Sequence, residues 1–280
     1  GARMITPAER AYIAGRAYIP EHLPHYVTAI SQTEPFLIGD FVAHVRGAHL
    51  IFVGYPLSEN FDAVQMLAAL EQAQARFKPT MTAIIAPALP AALENCAPSP
   101  PDEYYRLDLA HLVVPQKTRN MLTHARRDIS VSVGKLGKEH VRLIEEFLRA
   151  HHLDDATRFI FQRAPEYAKR ETARVFDARD ARGDLVAFDI ADFGARQYAF
   201  YMFNFRSRKH VIPGASDLLL ARLIERTQAE GKRYLNLGLG IDAGIAFFKR
   251  KWGATPFLKH CACVQRAPHA DAWQGLFDKL

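Results

Sequence analysis

Cysteine is scarce in this 280-residue sequence, and long apolar runs are absent. The cysteines are Cys96, Cys261 and Cys263, and an odd number with one C-x-C pair is neither a disulfide framework nor a zinc ligand set. No uncharged apolar run approaches the roughly 18 residues that a membrane-spanning helix needs. We therefore expect a soluble, cytoplasmic protein, either free or peripheral to a membrane surface.

Histidine does not supply a metal site either. His151 and His152 end the stretch 139–152, which has the apolar spacing of an amphipathic helix. No carboxylate or further histidine lies at ligand spacing from them. An imidazolium at the C-terminus of a helix interacts favourably with the helix dipole, which is the simpler role for this pair. We expect no bound metal.

Positive charge is concentrated in short segments. The formal net charge is +6, and 49% of the residues are apolar, as in a globular protein. The basic clusters lie at 117–127, 206–209 and 249–251, and each is as consistent with a solvated surface as with a binding site. The clusters at 206–209 and 249–251 both belong to the segment 198–253. Their position in one segment favours an anionic, phosphate-bearing ligand.

The segment 198–253 predicts a βαβα unit whose first helix offers its N-terminus to a ligand. Ser216 is the expected N-cap of that helix, and Asp217 lies in its first turn. The predicted elements are a strand over 198–205, a helix over 218–230, a strand over 234–240 and a helix over 244–253.

A similar order of elements occurs earlier in the chain, after a helical cap at 5–32. Strands are predicted at 36–45, 49–53 and 80–86, with a helix at 61–77, and the second half repeats this order from a strand at 185–193. We interpret the repeat as a degenerate internal duplication. The expected organisation is a domain at 4–110, a basic connecting helix at 111–128 and a second domain at 129–280, each half with a mixed sheet and helices on both faces.

Three segments of the second half resemble tandem GNAT-like transferases, namely 213–220 (PGASDLLL), 234–238 (YLNLG) and 248–253 (FKRKWG). The similar groups are the FemABX peptidoglycan-bridge enzymes and the catalytic domains of aminoacyl-phosphatidylglycerol synthases. The resemblance implies an α/β fold with two GNAT-like (acyl-CoA N-acyltransferase) units. It also implies transfer of an aminoacyl group from aminoacyl-tRNA to an amine or hydroxyl of a small-molecule, lipid or peptide acceptor. Lys117 and Arg119 match the basic segment that precedes the second domain of these enzymes, so the resemblance places them at the substrate.

Two features of the sequence depart from coenzyme A-dependent GNAT enzymes. Those enzymes hold pyrophosphate on a Q/R-x-x-G-x-G/A turn; with Gly214 as the first glycine, Val211 and Ser216 occupy the other motif positions, and Asp217 adds negative charge. The helix after the last strand offers Phe247 and Phe248, which have no proton for a departing thiolate. Both departures favour an aminoacyl ester over acyl-CoA as donor, although acyl-CoA remains open.

Three residues are the candidates for catalysis. Asp189 is flanked by apolar residues on a predicted strand, so burial would raise its pKa towards the range of a general base. Asn236 is expected to hydrogen-bond into the cleft, and Lys249 to bind a phosphate or the oxyanion. Two of them also have a structural interpretation: a satisfied buried carboxylate for Asp189 and an exposed helix lysine for Lys249. Ile245, Phe248 and Trp252 should form the packed face of the last helix, with Arg250 and Lys251 towards solvent.

The remaining candidates bind substrate. Tyr201 and Asn204 are three residues apart in one strand, so they should lie on opposite faces and only one should enter the cleft; core packing is the alternative for Tyr201. The other expected binding residues are Arg206, Gly214, Ser216 and Asp217. Two other functions stay open: a coenzyme A-dependent N-acetyltransferase acting on a small amine, and a non-catalytic protein that binds nucleic acid or a lipid surface. The donor, the acceptor and the oligomeric state are not determined by the sequence.

Overall fold

A computed structural model describes residues 4–267. The helices are α1 (Pro7–Ala14), α2 (Pro24–Ser31), α3 (Ala63–Phe77), α4 (Gln116–Ala125), α5 (Lys138–Ala150), α6 (Asp155–Ala168), α7 (Ala215–Ala229) and α8 (Ala243–Lys251). The strands are β1 (Glu34–Ile38), β2 (Phe41–Arg46), β3 (His49–Val53), β4 (Met81–Ala86), β5 (Cys96–Pro98), β6 (Asp102–Asp108), β7 (Ile129–Gly134), β8 (Ala173–Asp180), β9 (Leu185–Asp192), β10 (Tyr198–Arg206), β11 (Tyr234–Leu239) and β12 (Thr255–Arg266).

The predicted repeat is present as two copies of one motif. In the first half, β1, β2 and β3 form an antiparallel meander, and α3 then leads to β4, which is parallel to β3. In the second half, β8, β9 and β10 form the meander, and α7 leads to β11, which is parallel to β10. The order of elements confirms two halves built on the same plan, each with mixed strand pairing.

The two halves complete each other's sheets. β12, from the end of the chain, pairs with β4 of the first half, whereas β6, from the middle of the chain, pairs with β11 of the second. β12 and β6 also pair with each other, so the strands follow one path in the order β1-β2-β3-β4-β12-β6-β11-β10-β9-β8-β7. The expected boundaries at residues 110 and 128 stay a prediction, and a cut between them would separate strands that are neighbours in space.

Helices cover both faces of the second sheet. α7 lies on one face together with α4 and α8, and its leucines 218, 219, 220 and 223 are all buried there. α2, α5 and α6 cover part of the opposite face with the aromatic residues of β10. The segment before β1 packs over the rest of that face, where the two halves meet. α7 is apolar on most sides because it lies between the sheet and other helices.

Two details correct the expectations from sequence. The predicted strand 36–45 is two strands, since Gly39 has a φ of 59° and forms a turn with Asp40. The cysteines are not all free: Cys96 in β5 and Cys263 in β12 form a disulfide with a Cα–Cα distance of 5.4 Å. The two cysteines are 167 residues apart in the sequence, and it is the pairing of β5 with β12 that brings them together.

None of the helices within residues 4–267 has the length and apolar character to cross a bilayer.

Candidate active site

The two parallel strands at the centre of the second half separate after a short pairing. β10 and β11 pair only from Tyr198 with Tyr234 to Phe200 with Asn236. Beyond these residues, β10 pairs with β9 and β11 pairs with β6. A gap therefore opens between β10 and β11 towards their C-terminal ends. α7 follows the end of β10, so its N-terminus lies at this gap.

A β-bulge in β10 decides which side chains face α7. The register with β9 shifts between Tyr201 and Phe203, and the extra residue reverses the alternation of the strand beyond it. Tyr201 packs against the apolar cluster of α7, whereas Phe203 packs in the cluster on the opposite face. Asn204 consequently lies on the same face as Tyr201. The prediction that these two side chains face opposite ways is wrong.

Asp189, Asn204 and Ser216 form a hydrogen-bonded chain from β9 to α7. Asn204 Nδ2 donates to Asp189 Oδ1 at 2.7 Å, and Ser216 Oγ donates to Asn204 Oδ1 at 3.4 Å. Asp189 is fully buried, and its Oδ2 has no hydrogen-bond partner among residues 4–267. Burial raises the pKa of Asp189 to about 8, although the Asn204 hydrogen bond opposes this. The carboxyl group is therefore mostly protonated at neutral pH and becomes a proton acceptor above it.

The charge of Asp189 affects the pKa of the Tyr201 hydroxyl. Burial raises the pKa of the Tyr201 hydroxyl well above its ordinary value, and the charges of Asp189 and Asp217 raise it further, against Arg206. The hydroxyl is thus a neutral hydrogen-bonding group at the gap. Tyr201 also packs against the apolar cluster of α7, as its alternative interpretation, core packing, expects.

α7 begins without a side-chain cap. Its N-cap is Gly214 and not the predicted Ser216, and no side chain of the described residues caps its first turn. Gly214 has a φ of 84°, and a Cβ there would lie 2.8 Å from the Cβ of Ala125 at the end of α4. Only glycine suits both the left-handed backbone and this close approach. The uncapped amides are a favourable position for an anion.

Asp217, in the first turn of α7, is neutralised by its neighbours. Its Oδ1 accepts a hydrogen bond from Trp252 Nε1 at 2.8 Å and is 2.7 Å from Lys251 Nζ. Lys251 was expected to point towards solvent, but its side chain is only 28% exposed because of this ion pair. The negative charge that would repel a phosphate at α7 is therefore balanced within the protein.

Lys249 is buried at the end of β11. Only 3% of it is exposed, and its Nζ donates to the backbone carbonyl of Leu239. Burial lowers its pKa to about 8, while the charges of Asp102 and Asp242 raise it. Lys249 lies in α8 and Asp189 in β9. No hydrogen bond within residues 4–267 joins the two side chains.

The buried face of α8 differs from the prediction. Ala246 and Lys249 are its buried residues, followed by the buried C-cap Trp252. Ile245 is 37% exposed, and Phe248 is only partly buried. The helix is apolar on two sides, so spacing alone could not identify the side that packs on the sheet.

Asn236 serves the backbone and not the gap. Its Nδ2 donates to the carbonyl of Tyr18 at 2.9 Å, and its Oδ1 accepts from the amide of Gly238 at 2.7 Å. The second bond stabilises a register shift in β11, where Gly238 has a φ of 79°. Both ends of the amide are occupied, which corrects the expectation that it hydrogen-bonds into the cleft.

The basic candidates lie on the surface. Arg206 at the end of β10 is exposed, as are Lys117 and Arg119 on α4. Arg119 donates to Gln116 of the same helix at 2.9 Å. α4 packs against α7 through its other end, where Ala125 lies close to Gly214. These exposed basic side chains are not part of the buried site.

Sequence reasoning missed Asp102, which shapes the turn after β11. Its carboxylate accepts hydrogen bonds from the amides of Gly240 at 3.1 Å and Ile241 at 2.9 Å. Ile241 has a φ of 62°, a strained conformation for a β-branched residue. No local sequence pattern could connect Asp102 with this turn, because it lies 138 residues before Gly240. Within residues 4–267, no three histidine, cysteine or acidic side chains come together as a metal site.

Comparison with known proteins identifies the fold. No family model and no curated protein sequence matches the chain. The C-terminal DUF2156 domain of a proposed lysylphosphatidylglycerol synthetase from Agrobacterium fabrum is 16% identical, with a TM-score of 0.60, over 98% of this chain and 96% of that chain. A tandem GNAT protein from the clavulanic acid biosynthesis pathway is 12% identical, with a TM-score of 0.56, over 94% and 97%. FemX is 10% identical, with a TM-score of 0.62, over 92% and 96%.

These similarities confirm the resemblance to tandem GNAT-like transferases and the tandem GNAT-like α/β fold. They extend over nearly the whole of each chain, so the likeness covers both halves of this chain. At 10–16% identity the likeness concerns the fold.

Proposed function

We propose that this chain is an aminoacyltransferase that moves an aminoacyl group from aminoacyl-tRNA to an amine or hydroxyl acceptor. The observation that carries the proposal is the gap between β10 and β11, with Lys249 at the end of β11 and the uncapped N-terminus of α7 beside β10. A buried cation and a set of free amides at one opening suit an anionic donor and a developing oxyanion.

The proposed reaction is attack of the acceptor on the ester carbonyl of the donor. A tetrahedral oxyanion forms, and the ribose oxygen of the tRNA then departs. Lys249 stabilises the oxyanion, because at neutral pH a group with a pKa of about 8 is mostly cationic. Asp189 takes the proton of the attacking group on its unpaired Oδ2 when it is ionised, which at a pKa of about 8 is the minor form at neutral pH and the major form above pH 8. It then returns this proton to the departing ribose oxygen. Asn204 holds the carboxyl group in position through the hydrogen bond to Oδ1.

The choice of an ester donor rests on the exposed basic residues and not on the leaving group. The exposed Phe247 and the partly buried Phe248 have no proton to give to a thiolate. A ribose oxygen is a more basic leaving group than a thiolate, so it needs a proton from another residue, which in this proposal is Asp189. The basic residues Arg206, Lys117 and Arg119 are exposed and would attract a polyanionic donor.

Acyl-CoA is the second candidate donor, and a specific observation favours it. Lys251 neutralises Asp217, so the uncapped start of α7 is free of net negative charge and could take a pyrophosphate. The acceptor would then be a small amine.

A donor panel tests the proposal. The protein is incubated with radiolabelled aminoacyl-tRNA or acetyl-CoA and a mixture of amine, phospholipid and peptide acceptors, and products are separated from hydrolysed donor. Transfer from aminoacyl-tRNA above the rate without protein supports the proposal, and transfer from acetyl-CoA supports the second candidate. If neither donor is consumed and neither raises the melting temperature, the proposed activity is wrong, since a bound ligand stabilises the folded state.

A further inference from the structure

Arg106 lies among aromatic rings on the face of the sheet opposite α7. Its Cζ is 4.1 Å from the ring centroid of Tyr234 and 4.6 Å from that of Phe257. One of its Nη1 hydrogens is donated to the hydroxyl of Tyr198 at 2.5 Å. Stacking and this hydrogen bond fix the plane and the direction of the guanidinium.

The guanidinium has no counter-ion within the described part of the chain. Arg106 is half-buried, and its hydrogen bond to Tyr198 is the one that residues 4–267 provide. A guanidinium has five N–H donors, and charges removed from water are normally paired. Arg179 illustrates the usual arrangement, because this other half-buried arginine forms ion pairs with Glu139 and Asp177.

We infer that Arg106 binds the oxyanion of a small ligand, either a carboxylate or a phosphate. The fork of the guanidinium receives the oxyanion, and the partly exposed Tyr234 and Phe257 contact the adjoining part of the ligand. Tyr198 positions the guanidinium. The site is on the other face of the sheet from α7, so the inference does not depend on the proposed transferase activity.

Glu59 is the acidic residue whose charge acts on Tyr198, the hydrogen-bond partner of Arg106. Burial raises the pKa of Tyr198 to about 12, Arg106 lowers it, and the charge of Glu59 raises it further. Glu59 is exposed and has a φ of 65°, and it forms no ion pair with a described residue. An anion bound at Arg106 would lie in reach of this charge, so replacing Glu59 with glutamine should strengthen anion binding.

Arg233 provides a matched control. Its Cζ lies 4.9 Å from the same Tyr234 ring, but its Nη2 is 3.5 Å from Asp108 Oδ2, so Arg233 already has an acidic partner. Removing Arg233 lowers the net charge as much as removing Arg106 does. Only the loss of Arg106 should remove the binding site.

The experiment is a titration of the whole chain with sodium benzoate or sodium phosphate at constant ionic strength, with chloride as the reference and melting temperature as the readout. At least one of the two anions should give a saturable rise in wild type. Arg106→Met should weaken it by about tenfold or more, the effect of losing a hydrogen bond to a charged group. Arg233→Met should retain it, and Glu59→Gln should increase it. The two anions separate a carboxylate site from a phosphate site.

Several outcomes would overturn the inference. One is a wild-type protein that neither anion stabilises more than chloride does, including the case in which only Glu59→Gln responds. Another is an equal loss in Arg106→Met and Arg233→Met, which would indicate attraction by net charge. If Arg106→Met does not fold, Arg106→Lys keeps the charge without the planar fork, and it should lose most of the benzoate effect. Unchanged benzoate binding in Arg106→Lys would also contradict a site built on the guanidinium.

Discussion

Asn204 donates a 2.7 Å hydrogen bond to Asp189 because a bulge in β10 turns it towards α7. Without the register shift between Tyr201 and Phe203, Asn204 would face the aromatic cluster on the other side of the sheet. A single extra residue thus brings an amide to a buried carboxyl group at the gap between β10 and β11.

The first prediction concerns Asp189 and the pH dependence of stability. The unfolded chain releases this proton near the ordinary value of 3.8, whereas burial raises the folded pKa to about 8. Between these values the folded state holds a proton that the unfolded state has lost, so this residue makes stability fall as pH rises. Asp189→Asn should remove that contribution. Urea denaturation should show the variant gaining stability relative to wild type between pH 5 and pH 8.

The control for Asp189 is a carboxylate on the surface. Asp62→Asn affects the exposed N-cap of α3, whose side chain accepts from Gln65, so its difference from wild type should not follow the same course between pH 5 and pH 8. A difference between wild type and Asp189→Asn that is constant over this range would show that the carboxyl group titrates normally.

The second prediction concerns Asn236. Asn236→Ala leaves the carbonyl of Tyr18 and the amide of Gly238 without their partners. Each unpaired buried group costs about 1–3 kcal/mol, so the free energy of unfolding should fall by at least that amount. Asn120→Ala, which breaks an exposed bond to Gln116, should change it little. A variant of Asn236 that keeps wild-type stability but loses activity would restore the catalytic role expected from sequence.

The third prediction concerns the ion pair of Lys251 and Asp217. Lys251→Met exposes the donor to the charge of Asp217, so the KM for an anionic donor should rise, and more so at low salt. Asp217→Asn in the same chain should restore most of the loss. In a double-mutant cycle we expect a coupling of about 0.5–3 kcal/mol in donor binding. Additive effects of the two changes would mean that the pair does not act as a unit at α7.

Local patterns in the sequence were sufficient for most of the fold. The apolar periodicity of α3, α5 and α7 and the repeated order of strands predicted the two halves, since each signal lies within one element or its neighbours. The long-range pairings were not accessible in this way. The placement of β12 beside β4 and the contact of Asp102 with Gly240 both join residues more than a hundred positions apart.

The site was predicted in part. Asp189 and Lys249 stood out because a charged residue in an apolar context is unusual. The orientation of Asn204 and the backbone role of Asn236 depend on two register shifts, one in β10 and one in β11. A strand sequence does not reveal a bulge, so Asn204 was assigned to the wrong face. The pairing of Lys251 with Asp217 joins two helices and is not visible in the pattern of either one.

The central claim is that transfer takes place at the gap where Lys249 meets the end of β11. Lys249→Met removes the buried cation. The control Arg250→Met removes the adjacent exposed cation, whose Nη1 is 3.3 Å from the Tyr105 hydroxyl. The measurement is kcat/KM for aminoacyl transfer by both variants and wild type, with folding checked by melting temperature. The account predicts a loss of about 100-fold or more for Lys249→Met, the size expected for an oxyanion donor, and little change for Arg250→Met. A folded Lys249→Met protein that retains wild-type kcat/KM would contradict it.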